Sequence, residues 1–431
     1  MAKNTDRELQ RQLIYSVYLR SQTEEGTFRS MLGELDRIKA LGTDIIWFMP
    51  IHPIGVKGKK GSLGCPYANR DYRSTNPAYG SMDEFRELCG EIHARGMKVM
   101  IDVVYNHSSP DAALLAEHPE FYWRGADGNT GNKIGDWADV IDLDYGCRAL
   151  WDYQIESLRM WAGIVNGFRC DVASMVPYGF WKAAREAVAE VNPDCVWLAE
   201  SVHLSFGNYV RRSGFTCTRD TELFESFDIE YQYDVWESFE RYLRGEGPLH
   251  EWTEQLNLQE ALYPENYNKL RFLENHDQPR IAGRVGNAAE LESYTAMMFF
   301  LKGTALIYGG QEFSCTHQPS LFEREVFPRD GRDISAYIAK LAAIKKRLGT
   351  ADFFSARADD GNGIAVMERR GESGDFAGVF PLRRRPGTVR VEAPDGEYED
   401  MISGGRVAVE DGLFRCTGDP VIFAFRGRGA T

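Results

Sequence analysis

Apolar residues along the chain gather in short runs, and the stretches between them carry a helical period. LIYSVYL at 13–19 reads as a strand. Phe28, Met31, Leu32, Leu35, Ile38 and Leu41 follow at helical spacing and end at Gly42, a residue suited to a helix stop. DIIWFMP at 44–50 is a second strand. SMDEFRELCGEIHAR at 81–95 predicts a helix, opened by Ser81 with Glu84 three residues on, a capping-box pattern. KVMIDVVYNH at 98–107 is a third strand. A helix near 148–162 precedes the fourth run, GIVNGFRCDV. DCVWLAES at 194–201, SFDIEY at 226–231, NKLRFLENHD at 268–277 and TALIYGGQE at 304–312 complete the series.

Eight such runs with helices between most of them imply βαβ units and parallel strands. The expected fold is a (β/α)8 TIM barrel. A doubly wound open sheet is the alternative, but no glycine-rich phosphate loop follows the first strand. Residues 108–145 interrupt the third unit with Pro110, Pro119 and RGADGNTGNKIGDW, loop chemistry too long for an ordinary connection. They are expected to form an inserted subdomain, leaving 1–107 and 146–350 for the barrel. Beyond 350 the period changes to alternation: GIAVMERR, FAGVFPL, TVRVEAP and PVIFAF are split by Gly, Pro and Asp turns. Residues 351–431 therefore predict an antiparallel C-terminal β-sandwich.

Composition narrows the function classes. The chain has 431 residues, 43% hydrophobic and 26% charged, with 9 Trp, 20 Tyr and 24 Phe. Such aromatic richness suits deep cores and also flat sugar faces. The net charge of −14 argues against nucleic acid or an anionic membrane as partner. The polar start MAKNTDRELQRQ lacks the apolar segment of a signal peptide, and no run reaches the roughly 18 apolar residues of a membrane helix. Eight scattered cysteines without a CxxC pair fit a thiol-containing cytoplasmic protein. Oligomeric state is not written in the pattern.

The ionisable residues terminate the apolar runs. The third ends in Asp102, Asn106 and His107, the fourth in Arg169 and Asp171, the fifth in Glu200, and the seventh in Glu274, Asn275, His276 and Asp277. A barrel would bring these ends to one mouth. In a strand, Arg169 and Asp171 share a face. Taken alone, that pair reads equally as a satisfied buried ion pair. Asp171, Glu200 and Asp277, however, are three carboxylates, and like charges crowd together at a cost unless a metal or a reaction needs them. A hard cation is one explanation. Glycoside hydrolysis is the other, with one carboxylate attacking the sugar and a second protonating the leaving oxygen. Arg169 holds Asp171 ionised, as a nucleophile requires, and competes with a cation there. Glu200 follows Leu198 and Ala199, surroundings of the kind that raise the pKa of a general acid.

DVVYNH, GFRCDV, LAES and FLENHD together resemble the four short motifs of the α-amylase family, glycoside hydrolase family 13. The resemblance covers about residues 10–350, and the insertion and C-terminal β-domain are similar to that family as well. It implies a retaining hydrolase of α-glucosidic bonds, mainly α-1,4, in maltooligosaccharides or starch-derived glucans. Asp171 matches the nucleophile, Glu200 the acid/base and Asp277 the transition-state stabiliser. Arg169, His107 and His276 match residues of the subsite holding the cleaved glucose, and Asp102 matches a structural carboxylate. Tyr67, in CPYANRDY, matches a tyrosine that stacks on that glucose; otherwise it is an ordinary core residue. No cofactor is needed for the chemistry. Asn106 matches a ligand of a structural calcium ion and Asp142 a second; the other reading of Asn106 is a hydrogen bond tying the insertion to the barrel.

The sequence departs from many endo-acting relatives in two places. Ser174 and Met175 stand three and four residues after the matched nucleophile, where those relatives carry a Lys-His pair, and Val172, directly after the nucleophile, is common among enzymes of the family acting on short α-1,6 or mixed oligosaccharides. The loop RSQTEEGT lacks the acidic pattern of the family's second calcium site. Tyr122, Trp123, Trp137, Phe206 and Trp236 are candidates for stacking on sugar rings, or for packing. The rival readings are a transglycosylase or isomerase on the same scaffold, an α-1,6-acting glucosidase, a metal-dependent barrel hydrolase and a non-enzymatic carbohydrate-binding relative.

Overall fold

The computed structural model describes residues 5–135 and 137–426; the outermost ends of the expected domains, 1–4 and 427–431, lie outside them. Eight parallel strands close a barrel: β1 Leu13–Val17, β2 Ile45–Phe48, β3 Lys98–Val103, β4 Gly167–Cys170, β5 Val196–Ala199, β6 Ile229–Tyr231, β7 Lys269–Arg271 and β8 Thr304–Tyr308. They follow one another around the barrel in chain order, with β8 beside β1. Nearly every strand residue is buried, as expected of parallel strands covered on both faces.

Each strand is shorter than its apolar run. Residues 104–107 and 272–277 continue past the ends of β3 and β7, because the polar groups that close each run leave the sheet. The Ser81 capping box forms as expected: Glu84 N–H donates to Ser81 Oγ at 3.2 Å and Ser81 N–H to Glu84 Oε2 at 2.8 Å. Phe85, Leu88, Cys89 and Ile92 then bury one face of helix Met82–Ala94. The helix expected over 28–41 is instead three pieces, Phe28–Met31, the 3-10 turn Leu32–Glu34 and Leu35–Ala40. Gly33, a poor helix former, sits in the 3-10 turn that divides them. Gly42, at φ +90°, ends the series as predicted.

The chain divides into two compact units. One comprises Ile14–Tyr231 with Gln318–Phe327 and carries β2 to β6 and nearly all of β1. Its insertion is anchored by a two-stranded ladder, His107–Ser108 against Ile141–Asp142. The other comprises Gln232–His317, the segment from Pro328 onward, and the stretch ending at Leu13, and it carries β7 and β8.

The second unit also contains the C-terminal strands. They are β9 Phe353–Asp359, β10 Ile364–Gly371, β11 Gly374–Pro381, β12 Gly387–Arg390, β13 Gly396–Glu399, β14 Arg406–Glu410, β15 Leu413–Cys416 and β16 Val421–Phe425. They form two antiparallel sheets, ordered β9-β10-β11-β16 and β12-β15-β14-β13. Ile364, Val366, Val379 and Phe423 of the first share one apolar core with Val389, Val409 and Phe414 of the second, which makes the pair a sandwich.

Candidate active site

The Arg169 guanidinium organises the first unit's end of the barrel. In the sheet register Arg169 lies opposite Asp102 on β3 and Leu198 on β5. Its Nη1 donates to Asp102 Oδ1 and Oδ2 at 2.9 and 3.1 Å and to Asp171 Oδ1 at 2.9 Å. Its Nη2 lies 2.9 Å from Glu200 Oε1, and its Nε donates to Tyr231 OH at 3.2 Å. Three carboxylates therefore share one guanidinium, and the sharing answers their mutual repulsion. Arg169 and Asp102 are fully buried, whereas Asp171 and Glu200 keep 6% and 7% exposure and so remain open to a substrate. Burial alone would lower the pKa of Arg169; Asp102 and Glu200 outweigh it and hold it well above its ordinary value. Burial raises the Asp102 carboxyl to about 7 against the opposing pull of Arg169.

Asp171 and Glu200 each stand one residue past a strand. Asp171 N–H continues the ladder to Val103 O, and Glu200 N–H continues it to Cys170 O, both at 3.0 Å. Val172 then turns into the left-handed region at φ +35°, ψ 46°, a conformation that costs a β-branched residue of order 1–3 kcal/mol. The turn aims Val172 N–H at Glu200 Oε2, 2.7 Å away. Both Glu200 oxygens are thus engaged, one by the guanidinium and one by a strained backbone amide. Tyr67 OH donates to Asp102 Oδ2 at 3.0 Å, which draws the sequence-predicted tyrosine into the same group.

Trp47 and Tyr231 were not singled out in the sequence. Together with Tyr67 they box the guanidinium with aromatic faces, their centroids 5.2, 5.3 and 5.6 Å from Arg169 Cζ for Trp47, Tyr231 and Tyr67. The available signal was position alone: Trp47 sits inside the second apolar run and Tyr231 ends the sixth.

His107 is buried, and burial holds its imidazole below its ordinary pKa, hence neutral near pH 7. Its ring centroid lies 5.9 Å from that of half-buried Trp137, and Trp137 in turn meets Phe206 at 6.4 Å. Both remain candidates for sugar contact. Trp123 meets Phe215 edge-on at 6.1 Å. Tyr122 and Trp236 are buried and bonded, through Ser108 Oγ at 2.8 Å and Gln278 Oε1 at 3.1 Å respectively, and serve packing. The apolar wall beside the Val172 turn consists of Ile134, Met175, Val210 and Cys217, with Trp137, Val172 and Phe206 packed against them.

Asn106 and Asp142 come together, but not as a calcium cage. Asn106 Nδ2 reaches Asp142 Oδ1 at a weak 3.5 Å and lies 3.2 Å from His107 Nδ1. Asp142 Oδ2 accepts Lys133 N–H at 2.7 Å, and Lys133 Nζ donates to Leu143 O at 2.7 Å. Calcium takes six to eight oxygens. Among the described residues no group of three or more His, Cys, Asp or Glu is placed to hold a metal. The donor set does not fit the ion.

His276 and Asp277 belong to the second unit, past the C-terminal end of β7. His276 Nε2 lies 3.2 Å from Asp277 Oδ2. Asn275 shapes the turn that presents them: its Oδ1 accepts Asp277 N–H and Gln278 N–H at 2.8 and 2.9 Å, and its Nδ2 donates to Tyr233 OH at 3.0 Å. Glu274, on the preceding residue, is buried and bonded to Arg280 Nη1 at 2.6 Å and Ile281 N–H at 2.7 Å.

A closed parallel barrel with carboxylates clustered at strand ends defines the class of barrel enzymes. Comparison with known proteins narrows it. Residues 12–138 and 134–347 match the α-amylase catalytic domain, and residues 355–423 match the bacterial α-amylase C-terminal domain. The chain belongs to the α-amylase family. An α-amylase from Lactobacillus plantarum superposes with a TM-score of 0.93 at 41% identity, covering 97% of this chain and all of that one. A maltogenic α-amylase from Thermotoga neapolitana gives 0.86 at 30% identity, covering 97% and 99%. The α-amylase MalA of Haloarcula japonica is 24% identical over 95% of this chain, which spans 61% of that relative's length.

Proposed function

We propose that the chain is a retaining glycosidase that cleaves α-glucosidic bonds, mainly α-1,4, in maltooligosaccharides or starch-derived glucans. Asp171 attacks the anomeric carbon while Glu200 protonates the departing glycosidic oxygen. A water deprotonated by Glu200 then releases an α-product from the β-linked glucosyl-enzyme, and the acid is regenerated. Asp277 stabilises the oxocarbenium-like transition state. Tyr67, His107, Arg169 and His276 bind the cleaved glucose, and Asp102 orients Arg169. The carrying observation is the single guanidinium that hydrogen-bonds Asp171 and forms an ion pair with Glu200. It gathers the two carboxylates at one site, and retention requires them roughly 5–5.5 Å apart.

Glu200→Gln should lower turnover of maltotriose by about 10²–10⁴-fold, and Asp171→Ala by at least as much, with unchanged circular dichroism. Substantial residual rate in either folded variant would refute the assignments. NMR of the first-formed product should show the α-anomer, and a β-anomer would refute retention.

A second reading, transfer to a sugar acceptor, is supported by the apolar cluster of Ile134, Val172, Met175 and Phe206 at the turn after Asp171, since apolar surroundings disfavour water as the acceptor. Relatives named as cyclomaltodextrin glucanotransferase and as maltosyltransferase support it. A product profile on maltotriose, isomaltose, trehalose and cyclodextrin separates transfer and α-1,6 cleavage from α-1,4 hydrolysis. The chemistry requires no cofactor and no nucleic-acid or membrane partner. The free thiols favour the cytoplasm.

A further inference from the structure

We propose that Lys133 performs in this chain the fastening task of a structural calcium ion, joining the insertion to the strand that follows it with an ammonium group instead of a metal. The insertion begins and ends at the ladder of His107–Ser108 with Ile141–Asp142. Lys133 reaches back to the ladder's exit twice: its N–H donates to Asp142 Oδ2 and its Nζ to the carbonyl of Leu143, each at 2.7 Å. Asp142 and Asp144 flank that carbonyl in sequence, and their charges act on the ammonium. The ammonium supplies one positive charge and a compact donor. That suffices for one carboxylate and one carbonyl, whereas a hard divalent ion would need several more oxygens. It would also meet the lysine's like charge.

Both Asp142 oxygens already face donors, which compete with a cation for them. One oxygen holds the Lys133 amide and the other faces Asn106 Nδ2, which is a donor. The fastening bears on the site because the next residues along are Ile134, which packs with Met175 and Val172, and Trp137, which packs with His107. Lys133 is thus a positioning residue for the wall beside Asp171. The inference concerns binding of the insertion and stands whether or not the proposed glycosidase activity is right, since its readouts are metal content and melting.

The test uses the full chain. After gel filtration in calcium-containing buffer, elemental analysis should find no stoichiometric calcium, and thermal unfolding should give the same Tm in excess calcium and in excess EDTA. One retained calcium per chain, or a Tm that chelator lowers and calcium restores, would overturn the proposal. Lys133→Met should lower Tm by about 2 °C or more and speed proteolytic cleavage within 108–145, with Lys133→Arg recovering part of both. A Lys133→Met protein that melts and resists protease like the parent would likewise overturn it. If that variant does not fold, the metal content and EDTA response of the parent decide alone.

Discussion

At the scale of single residues, Arg169 shows why a buried charge can be kept. It satisfies Asp102, Asp171 and Glu200 at once. Removing it while leaving them would strand buried negative charge, so Arg169→Met should cost about 3–5 kcal/mol in urea unfolding. Arg169→Lys restores the charge but not the fork, and should recover much of that stability while turnover on maltotriose stays low. Val172 is the opposite case, a residue held in a conformation it disfavours. Val172→Gly removes the left-handed penalty at the expense of a half-buried side chain. Relief of about 1–3 kcal/mol of strain is set against about 1–2 kcal/mol of lost burial, so the variant should unfold within about 2 kcal/mol of the parent. A much larger loss would show that the turn stores no strain. The opposed charges of GFRCDVA announced the ion pair, because residues two apart on a strand share a face. The left-handed turn was not announced, because Val has no intrinsic preference for it and only Glu200 and the neighbouring strand enforce it.

At the scale of elements, the strands are fixed by apolar runs and the site by where those runs stop. The helix Leu249–Leu262 and strand β9 illustrate a pairing the sequence does not reveal. Asn257 Nδ2 donates to Ala356 O at 2.9 Å, and Asn257 Oδ1 accepts Ala356 N–H at 2.8 Å. An edge strand's backbone is thereby capped by a side chain. Asn257→Leu should cost about 1–3 kcal/mol by leaving both backbone groups unpaired, measured by chemical denaturation. At the start of the same helix, His250 pairs with Asp360, Nδ1 to Oδ2 at 2.6 Å, and the hydrogen bond raises the histidine's pKa above 6.5. Asp360 is pushed up by its partial burial, but its hydrogen bonds to His250 outweigh this and hold it below 3.8. The histidine's contribution is complete below pH 6.5 and fades as pH rises through its folded pKa. The aspartate's is present above pH 3.8 and fades as pH falls through its own. The Tm difference between parent and His250→Ala should therefore be greatest between about pH 4 and 6.5 and shrink on both sides.

At the scale of the whole molecule, all eight cysteines are free thiols, six of them buried. Burial pushes Cys89 and Cys195 up to about 12. Cys65 is half-buried but its thiol is pushed equally high, so a thiol reagent at pH 8 should label Cys147 first and Cys65 slowly at most in the native protein, and all eight in denaturant; fewer than eight would reveal a disulfide. No helix among the described residues is long and apolar enough to cross a membrane. Local patterning carried the order of strands and helices, the change to antiparallel sheets after residue 350, and the placing of Asp102, Arg169, Asp171 and Glu200 at the ends of apolar runs. Each of these follows from local periodicity or from polar groups ending an apolar run, which are properties of neighbouring residues. Tertiary packing supplied the rest: one guanidinium serves three carboxylates, Trp47 and Tyr231 enclose it, and the Lys133 amide meets Asp142. Those arrangements depend on register between strands far apart in sequence and on side chains competing for the same few hydrogen bonds, which no local pattern encodes.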